Sequence, residues 1–259
     1  MKLLKDKLLN SIKNLPCQVG ISLKLFNTNQ QLIINNRRFL AASTIKIPIM
    51  LATFKKIQDN EINYNTQILI TQNHLVEDSP YISTLNLPTK LSVKKLIKYM
   101  IIVSDNTATN ILIDLLTIDF INQLLNNWGF INTILNRKMM DFISREQGID
   151  NWTTPLEMST LLEKLLKHEL LYPKYSNESL EILSYQQDRE KIPSGLPKNI
   201  KVANKPGELP GSRSDVGIVW GKKTFILSIF CDNLIKDELA DIYISNITRE
   251  IYNFINQNT

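Results

Sequence analysis

The chain has 259 residues, of which 43% are apolar and 21% are charged, and its formal net charge is +5. This length is enough for a sizeable core, and the balance of apolar and charged residues excludes a chain that is mainly disordered. The lysines are spread along the sequence without a dense basic run, so we assign the charge to solvated helix faces and expect no nucleic-acid partner.

The N-terminal part predicts a helix followed by a β-hairpin. Apolar residues at helical spacing predict a helix over residues 5–14. Alternating apolar residues predict a strand over 18–26, and a turn signal leads to a returning strand over 31–35.

The middle of the chain predicts helices. Apolar residues at helical spacing predict them over residues 43–60, 89–103, 107–116, 120–127 and 156–168. Pro48 lies near the start of the first of these, where a proline is tolerated within the first turn. Ser92 precedes an apolar-periodic run and is interpreted as a helix N-cap.

The C-terminal part returns to strands and closes with a helix. Strands are predicted over residues 201–205, 214–220 and 224–231, and a long amphipathic helix over 238–254. Strands at both ends with helices between them predict an α/β (α+β) fold, in which one antiparallel five-stranded sheet is flanked by the terminal helices. We expect a single catalytic domain over 1–259, with a sheet lobe from 1–40 and 190–259 and a helical lobe from 41–189.

The sequence offers no pattern for a metal site or another cofactor. His74 and His168 are far apart in the sequence, and the two cysteines, Cys17 and Cys231, lack metal-ligand spacing. If the first and last strands are antiparallel neighbours, a disulfide between the two cysteines is conceivable, but without an export signal two buried thiols are the better interpretation.

The N-terminus has the charge of a signal peptide without its apolar region or cleavage site. We therefore expect the chain to stay in the compartment where it is made, unless an export segment has been removed. No run of about 20 apolar residues predicts a membrane span. A monomer that acts on a small molecule is expected.

The segment Ser43-Thr44-Ile45-Lys46 begins the second predicted helix. Residues three apart share a helix face, so the Lys46 amine can reach the Ser43 hydroxyl. A neutral lysine can take the proton of a serine nucleophile, and the helix N-terminus offers backbone N–H groups to an oxyanion. Alone this signal is weak, because the segment that starts at Ser92 has the same spacing and Ser43 could equally be a helix cap.

Two further motifs follow in order. Ser104-Asp105-Asn106 comes about 60 residues later, and Lys205-Pro206-Gly207 enters a strand about 100 residues after that. In order and spacing the chain resembles the class A β-lactamases and penicillin-binding proteins, over nearly its whole length.

The resemblance implies a role for each matching residue. Ser43 would attack the amide carbonyl and become acylated, while Lys46 would help to take its proton. Ser104 would relay a proton to the leaving nitrogen, assisted by Lys205, and Asn106 would bind the substrate's side-chain amide. The backbone of Ser43 and of Glu208, which follows Gly207, would form the oxyanion hole. Arg213 would bind a substrate carboxylate, although a surface arginine is an equal interpretation.

Two departures from the family pattern qualify this hypothesis. Pro206 replaces a Thr or Ser whose hydroxyl contacts the substrate carboxylate. The family glutamate that activates the deacylating water is absent: its expected site falls near Lys138, and Asp141 and Glu146 are the acids available in that loop. Either acid could instead be an ordinary loop or surface charge.

Three interpretations therefore remain at this stage. The first is a β-lactamase that opens β-lactam amides. The second is a penicillin-binding, esterase-like or amidase-like serine hydrolase that deacylates poorly. The third is a non-catalytic relic of the fold, which the presence of Ser43, Lys46 and Lys205 argues against.

Overall fold

The computed structural model describes residues 1–257, which form one large antiparallel sheet, a set of helices and two minor strand pairs. The α-helices are α1 (Lys2–Ile12), α2 (Lys46–Gln58), α3 (Val93–Ile102), α4 (Asn106–Leu116), α5 (Ile118–Asn127), α6 (Phe142–Glu146), α7 (Pro155–Leu166), α8 (Pro173–Ser184) and α9 (Asp237–Gln257). The strands are β1 (Gln18–Leu25), β2 (Gln31–Ile34), β3 (Phe39–Leu40), β4 (Gln67–Ile70), β5 (Thr89–Ser92), β6 (Trp152–Thr153), β7 (Lys201–Leu209), β8 (Ser212–Trp220) and β9 (Thr224–Asp232).

The main sheet has the order β2-β1-β9-β8-β7, and every neighbouring pair is antiparallel. It joins strands from both ends of the chain, because β1 pairs with β9. This arrangement confirms the predicted fold class. Strand β7, which carries Lys205, lies at an edge of the sheet.

The terminal helices cover the sheet and form its main core. Leu4 and Leu8 of α1 and Ile244 and Ile251 of α9 belong to one buried apolar cluster with alternate residues of β1 and β9. Their period-two spacing in the strands and helical spacing in the helices explain why the sequence predicted this layer.

Two polar contacts join β1 to α7. The Ser22 and Ser159 hydroxyls lie 2.7 Å apart, and the Lys24 ammonium lies 2.7 Å from the Glu163 carboxylate. A hydrogen-bonded hydroxyl pair avoids the cost of burying unsatisfied polar groups. Strand β1 is therefore buried on both faces, with polar residues only on the face towards α7.

The cysteines of β9 and of the segment before β1 are free thiols. Cys231 is buried, whereas Cys17 is only half-buried, so the prediction of two buried thiols holds for Cys231 alone. A hydrogen bond with Cys231 lowers the pKa of Cys17, and the same contact raises the pKa of Cys231.

The remaining helices have their own core, with α2 at its centre. Helix α2 contacts α3, α4, α5 and α8, and almost every residue from Ile47 to Phe54 is buried. A helix that is apolar on all sides must be surrounded by other elements. Because α2 has no polar stripe, its position among these four helices follows from its sequence. Ser92 accepts a hydrogen bond from the Lys95 N–H at 3.3 Å, which confirms its role as the N-cap of α3.

Two compact units divide the described chain. The first contains residues 1–44, 152–164 and 188–257, and the second contains 45–151 and 165–187. Residues 41–44 and 152–164, assigned to the helical lobe by the sequence, therefore group with the sheet. The single catalytic domain stays a prediction.

Several elements differ from the sequence-based predictions. The helix predicted from residue 43 begins as a 3₁₀ turn over Ala42–Ile45, and the first part of the helix predicted over 89–103 is strand β5. Helix α8 and strand β4 were not predicted. Among residues 1–257 no single helix has the length and apolarity of a membrane span, and only α4 with α5 passes that test as a pair bent by 78°.

Candidate active site

Ser43 lies in the sheet unit, in the 3₁₀ turn that runs directly into α2. Its neighbour Ala42 has φ = +46°, in the left-handed region that non-glycine residues rarely adopt. Such strain persists only where the surrounding structure imposes it, and it is concentrated at functional sites. The backbone before Ser43 is therefore held in an unfavourable conformation.

Gly207 of β7 lies against the same turn. A Cβ atom at Gly207 would come within 3.1 Å of the Thr44 Cγ2 atom, 3.2 Å of the Ala41 carbonyl oxygen and 2.6 Å of the Ser214 hydroxyl. The Thr44 hydroxyl in turn donates to the Ala41 carbonyl at 2.5 Å. Only a glycine allows β7 to approach the turn that carries Ser43 this closely.

Lys46, the first residue of α2, is fully buried in the helical unit. Its Nζ atom lies 2.8 Å from the Ser104 carbonyl oxygen, 3.0 Å from the Ser104 hydroxyl and 2.7 Å from the Asn106 Oδ1 atom. Of these three partners only the Ser104 hydroxyl can also donate a hydrogen bond to a neutral amine. A proton can therefore pass between Lys46 and Ser104 without rearrangement.

Ser104 is also strained, with φ = +58°. The next residue, Asp105, is fully buried and caps α4 by accepting from the Ala108 N–H at 2.8 Å. Its second oxygen accepts from the N–H groups of Tyr81 and Ile82 at 3.1 and 2.9 Å. Asp105 thus fixes the start of α4, directly after Ser104, to the segment at Tyr81 and Ile82.

Lys205 lies in β7 of the sheet unit and is fully buried. Burial lowers the pKa of Lys205 to about 8, although the carboxylate of Asp215 opposes that shift. Burial also raises the pKa of Asp215 to about 6, against the hydrogen bonds that it accepts from Asn204 and from the Ile192 N–H. Burial therefore shifts both pKa values towards neutrality, which is typical of functional sites.

Pro206 is tolerated because β7 is an edge strand. Proline has no N–H to donate to β8, so its nitrogen faces away from that strand. Peptide directions alternate along a strand, and the Glu208 N–H therefore faces the same open side. The predicted oxyanion-hole donor thus points away from β8.

Two further cations lie near Glu208. The Glu208 carboxylate accepts from the buried Lys191 ammonium at 2.5 Å. Arg213 lies opposite Glu208 in β8, 3.4 Å from the Asp237 carboxylate, and it donates to the carbonyl oxygens of Leu209 and Ser212.

The loop over residues 137–150 belongs to the helical unit and is fixed by buried polar contacts. Arg137 pairs with Asp150 at 2.8 Å, and both side chains are buried. The Asn110 side chain of α4 contacts both the backbone N–H and the backbone carbonyl of Met139, at 2.8 and 3.0 Å. The backbone of Met139 is therefore fixed to α4.

The acids of this loop serve its own structure or lie in solvent. Both oxygens of Asp141 accept from Ser144, one from its N–H and one from its hydroxyl, and these bonds lower the pKa of Asp141. Glu146 is exposed at the end of α6. Lys138, where the family glutamate was expected, forms an ion pair with Asp114 at the surface.

Sequence reasoning missed four residues that take part in the contacts described above, namely Asp105, Asn110, Lys191 and Asp215. Asp105 and Asn110 lie inside or just after the Ser-Asp-Asn motif, so an N-cap signal could have found Asp105. Lys191 and Asp215 were missed because their contacts with Glu208 and with the Ile192 N–H join segments far apart in sequence. No group of three or more His, Cys, Asp or Glu side chains that could hold a metal ion is present in residues 1–257.

Known proteins resemble this chain in both sequence and structure. The family model described as the β-lactamase enzyme family matches residues 3–255. The chain belongs to this β-lactamase enzyme family. Family and fold together identify it as a hydrolase, and the sequence-based resemblance is confirmed.

Individual relatives cover most of the chain. β-Lactamase VEB-1 of Pseudomonas aeruginosa is 27% identical over 270 residues, which span 96% of this chain and 89% of that protein. The crystal structure of a β-lactamase from Sphaerobacter thermophilus is 26% identical with a TM-score of 0.88, covering 97% of this chain and 96% of that one. The structure of PBP-A is 23% identical with a TM-score of 0.92, covering 99% and 97%, and shares the fold. A PBP-A variant has also been determined as an acyl-enzyme complex with penicillin G.

Proposed function

We propose that this β-lactamase family member opens β-lactam amides by the class A serine mechanism, with Ser43 as the nucleophile. The observation that carries the proposal is the buried contact set of Lys46, whose Nζ atom contacts Ser104 and Asn106. Ser43 precedes Lys46 by three residues in one continuous helical segment, so the two side chains share a helix face.

In the proposed acylation step Ser43 attacks the amide carbonyl and Lys46 accepts the proton of its hydroxyl. Ser104 then passes a proton to the leaving nitrogen, and its contact with Lys46 supplies the route. The N–H groups of Ser43 and Glu208 would stabilise the oxyanion. Lys205 would provide positive charge, Asn106 would bind the substrate's amide, and Gly207 would keep β7 close to the nucleophile turn.

Hydrolysis of the acyl-enzyme needs a base that activates water, for which Asp141 and Glu146 remain the candidate acids. A carboxylate whose pKa is lowered by hydrogen bonds is a weak base, which disfavours Asp141. We therefore expect deacylation to be the slower step. The same observation favours the second candidate function, a penicillin-binding protein that forms a long-lived acyl-enzyme.

The test is to mix the protein with a chromogenic cephalosporin while following hydrolysis and intact mass together. Turnover that disappears in Ser43→Ala is expected for the β-lactamase function. A stable mass increase without turnover would instead identify the penicillin-binding function. Neither adduct nor turnover from folded protein would disprove both.

Ser92→Ala is the matched control, because Ser92 has the same spacing to a lysine but serves as the N-cap of α3. It should lower stability by about 1 kcal/mol and leave acylation unchanged. If acylation is lost in Ser92→Ala as well as in Ser43→Ala, the loss reflects impaired folding and does not identify Ser43 as the nucleophile.

A further inference from the structure

The acidic side chain of Glu208 lies one residue beyond the closest approach between β7 and the turn that carries Ser43. That approach is at Gly207, where the Ala41 carbonyl oxygen and the Thr44 side chain occupy the space of a Cβ atom. The Glu208 side chain is 49% exposed. Its carboxylate is therefore accessible to a molecule that binds along the open edge of β7.

The cations around Glu208 are already matched by acids. Lys191 is 1% exposed, and its ammonium contacts not only Glu208 but also Asp188 at 3.1 Å and Asp241 at 3.3 Å. One buried positive charge is thus shared by three carboxylates. Arg213, opposite Glu208, has Asp237 within 3.4 Å. The charge at this end of β7 is negative, although the chain as a whole carries +5.

A carboxylate that entered beside Glu208 would meet the repulsion of that acid, and the nearest cations, Lys191 and Arg213, already contact acids. Pro206 provides neither a hydroxyl nor an N–H, and Lys191 would have to give up Glu208 to bind another anion. Like charges brought together at a partly desolvated surface disfavour binding, whereas an ammonium or an uncharged group would not meet this penalty.

We propose that Glu208 is a specificity-determining residue, which selects acyl substrates with a neutral or cationic group beside β7 and disfavours those with a carboxylate there. This inference rests on the proposed function, since it places the substrate beside Ser43. It differs from the prediction that Arg213 binds a substrate carboxylate, and the same experiment separates the two.

The experiment uses a chromogenic cephalosporin and the same compound with its carboxylate converted to a carboxamide. Dissociation constants are measured for both in the Ser43→Ala background, where acylation is removed, and kcat/KM is measured with Ser43 present. We expect the carboxamide to be preferred about tenfold, and Glu208→Gln to remove most of that preference by tightening binding of the carboxylate compound. An ammonium analogue should lose affinity in Glu208→Gln.

Glu238→Gln is the matched control, because it removes an exposed acid of α9 that lies outside the contacts of Lys191. It should leave the ratio of the two dissociation constants unchanged. Equal dissociation constants without mutation, a ratio that Glu208→Gln does not change, or no binding of either compound would overturn the inference. Because these constants do not require acylation, absence of turnover would count against the proposed function alone.

Discussion

The segment Ser104–Asn106 and the loop over 137–150 belong to the same compact unit, but they use their polar side chains differently. In the first, Asp105 holds the start of α4, and the side chains of Ser104 and Asn106 both contact Lys46. In the second, the polar groups of Arg137, Asp141 and Asp150 bind one another or the loop's own backbone. An acid in a loop sequence therefore does not by itself provide a catalytic base.

The largest effect is expected on the rate of Ser43 acylation in Lys46→Met, which removes the partner of Ser104 and Asn106. This variant keeps the length of the side chain but removes the group that accepts the Ser43 proton. General-base catalysis contributes about 10²–10⁴-fold, so we expect Ser43 acylation to slow by about 10³-fold. The rate is measured by intact mass over time after mixing with the cephalosporin.

Lys90→Met is the matched control for this change, because Lys90 is exposed in the same unit. It should leave the acylation rate within a factor of about two, well below the general-base contribution. A Lys46→Met protein that acylates as fast as its Lys90→Met counterpart would remove Lys46 from the mechanism.

The next effect is on stability, through Asp105→Ala. The change leaves the N–H groups of Tyr81, Ile82 and Ala108 without their acceptor. Loss of buried charge-assisted hydrogen bonds should lower the free energy of unfolding by at least about 3 kcal/mol, as measured by urea denaturation. Asp114→Ala, which removes a surface ion pair, should cost less than about 1 kcal/mol. Equal losses would show that Asp105 does not organise this region.

Most of the fold could be predicted because its signals are local. The alternation in β1 and β9 and the helical spacing in α9 place apolar residues on one face each, and these faces form the sheet core. Strand β4 was missed because it is short, and helix α8 was missed because its sequence mixes polar and apolar residues. The 3₁₀ turn over Ala42–Ile45 was missed for another reason, since it packs against Gly207 of β7, which is distant in the sequence, and a positive φ at Ala42 has no local signal.

The candidate site likewise contains residues that the sequence patterns predicted and contacts that they did not. Ser43, Lys46, Ser104 and Lys205 were assigned from motif spacing. The structure buries Lys46 and Lys205 and brings Lys46 into contact with Ser104, while the catalytic roles of all four stay predictions. The contacts of Lys191 with Glu208 and of Asp215 with Ile192 could not be predicted, because each joins residues more than 15 apart in the sequence. The roles of Asp141 and Glu146 depend on how their loop is folded, which residue type alone does not specify.

A third variant tests whether the loop lacks only a suitably placed acid. Met139 is buried and its backbone is fixed to α4 by Asn110, whereas the neighbouring Lys138 faces the surface. Met139→Glu would place a carboxylate at the fixed position, where burial raises its pKa and makes it a better base. We expect deacylation about tenfold faster, measured as decay of the acyl-enzyme mass.

Lys138→Glu is the control for Met139→Glu, because it adds the same acid one residue away on the exposed side. Deacylation should not change in that variant. Acceleration by both variants would point to a general effect of negative charge, and acceleration by neither would exclude a missing acid at residue 139 as the reason for slow deacylation.

The smallest expected effect concerns Asp141→Ala, which removes the N-cap of α6. Loss of the two contacts with Ser144 should lower the free energy of unfolding by about 1 kcal/mol and leave deacylation unchanged. The pKa of Asp141 is lower in the folded state than its ordinary value of 3.8, so the cap stabilises above that pH and its contribution disappears as the pH falls below it. The difference between the two proteins should therefore shrink in acid.

Glu146→Gln removes a neighbouring charge without removing a cap. A deacylation rate about 10²-fold lower in either variant, at unchanged stability, would identify that acid as the base.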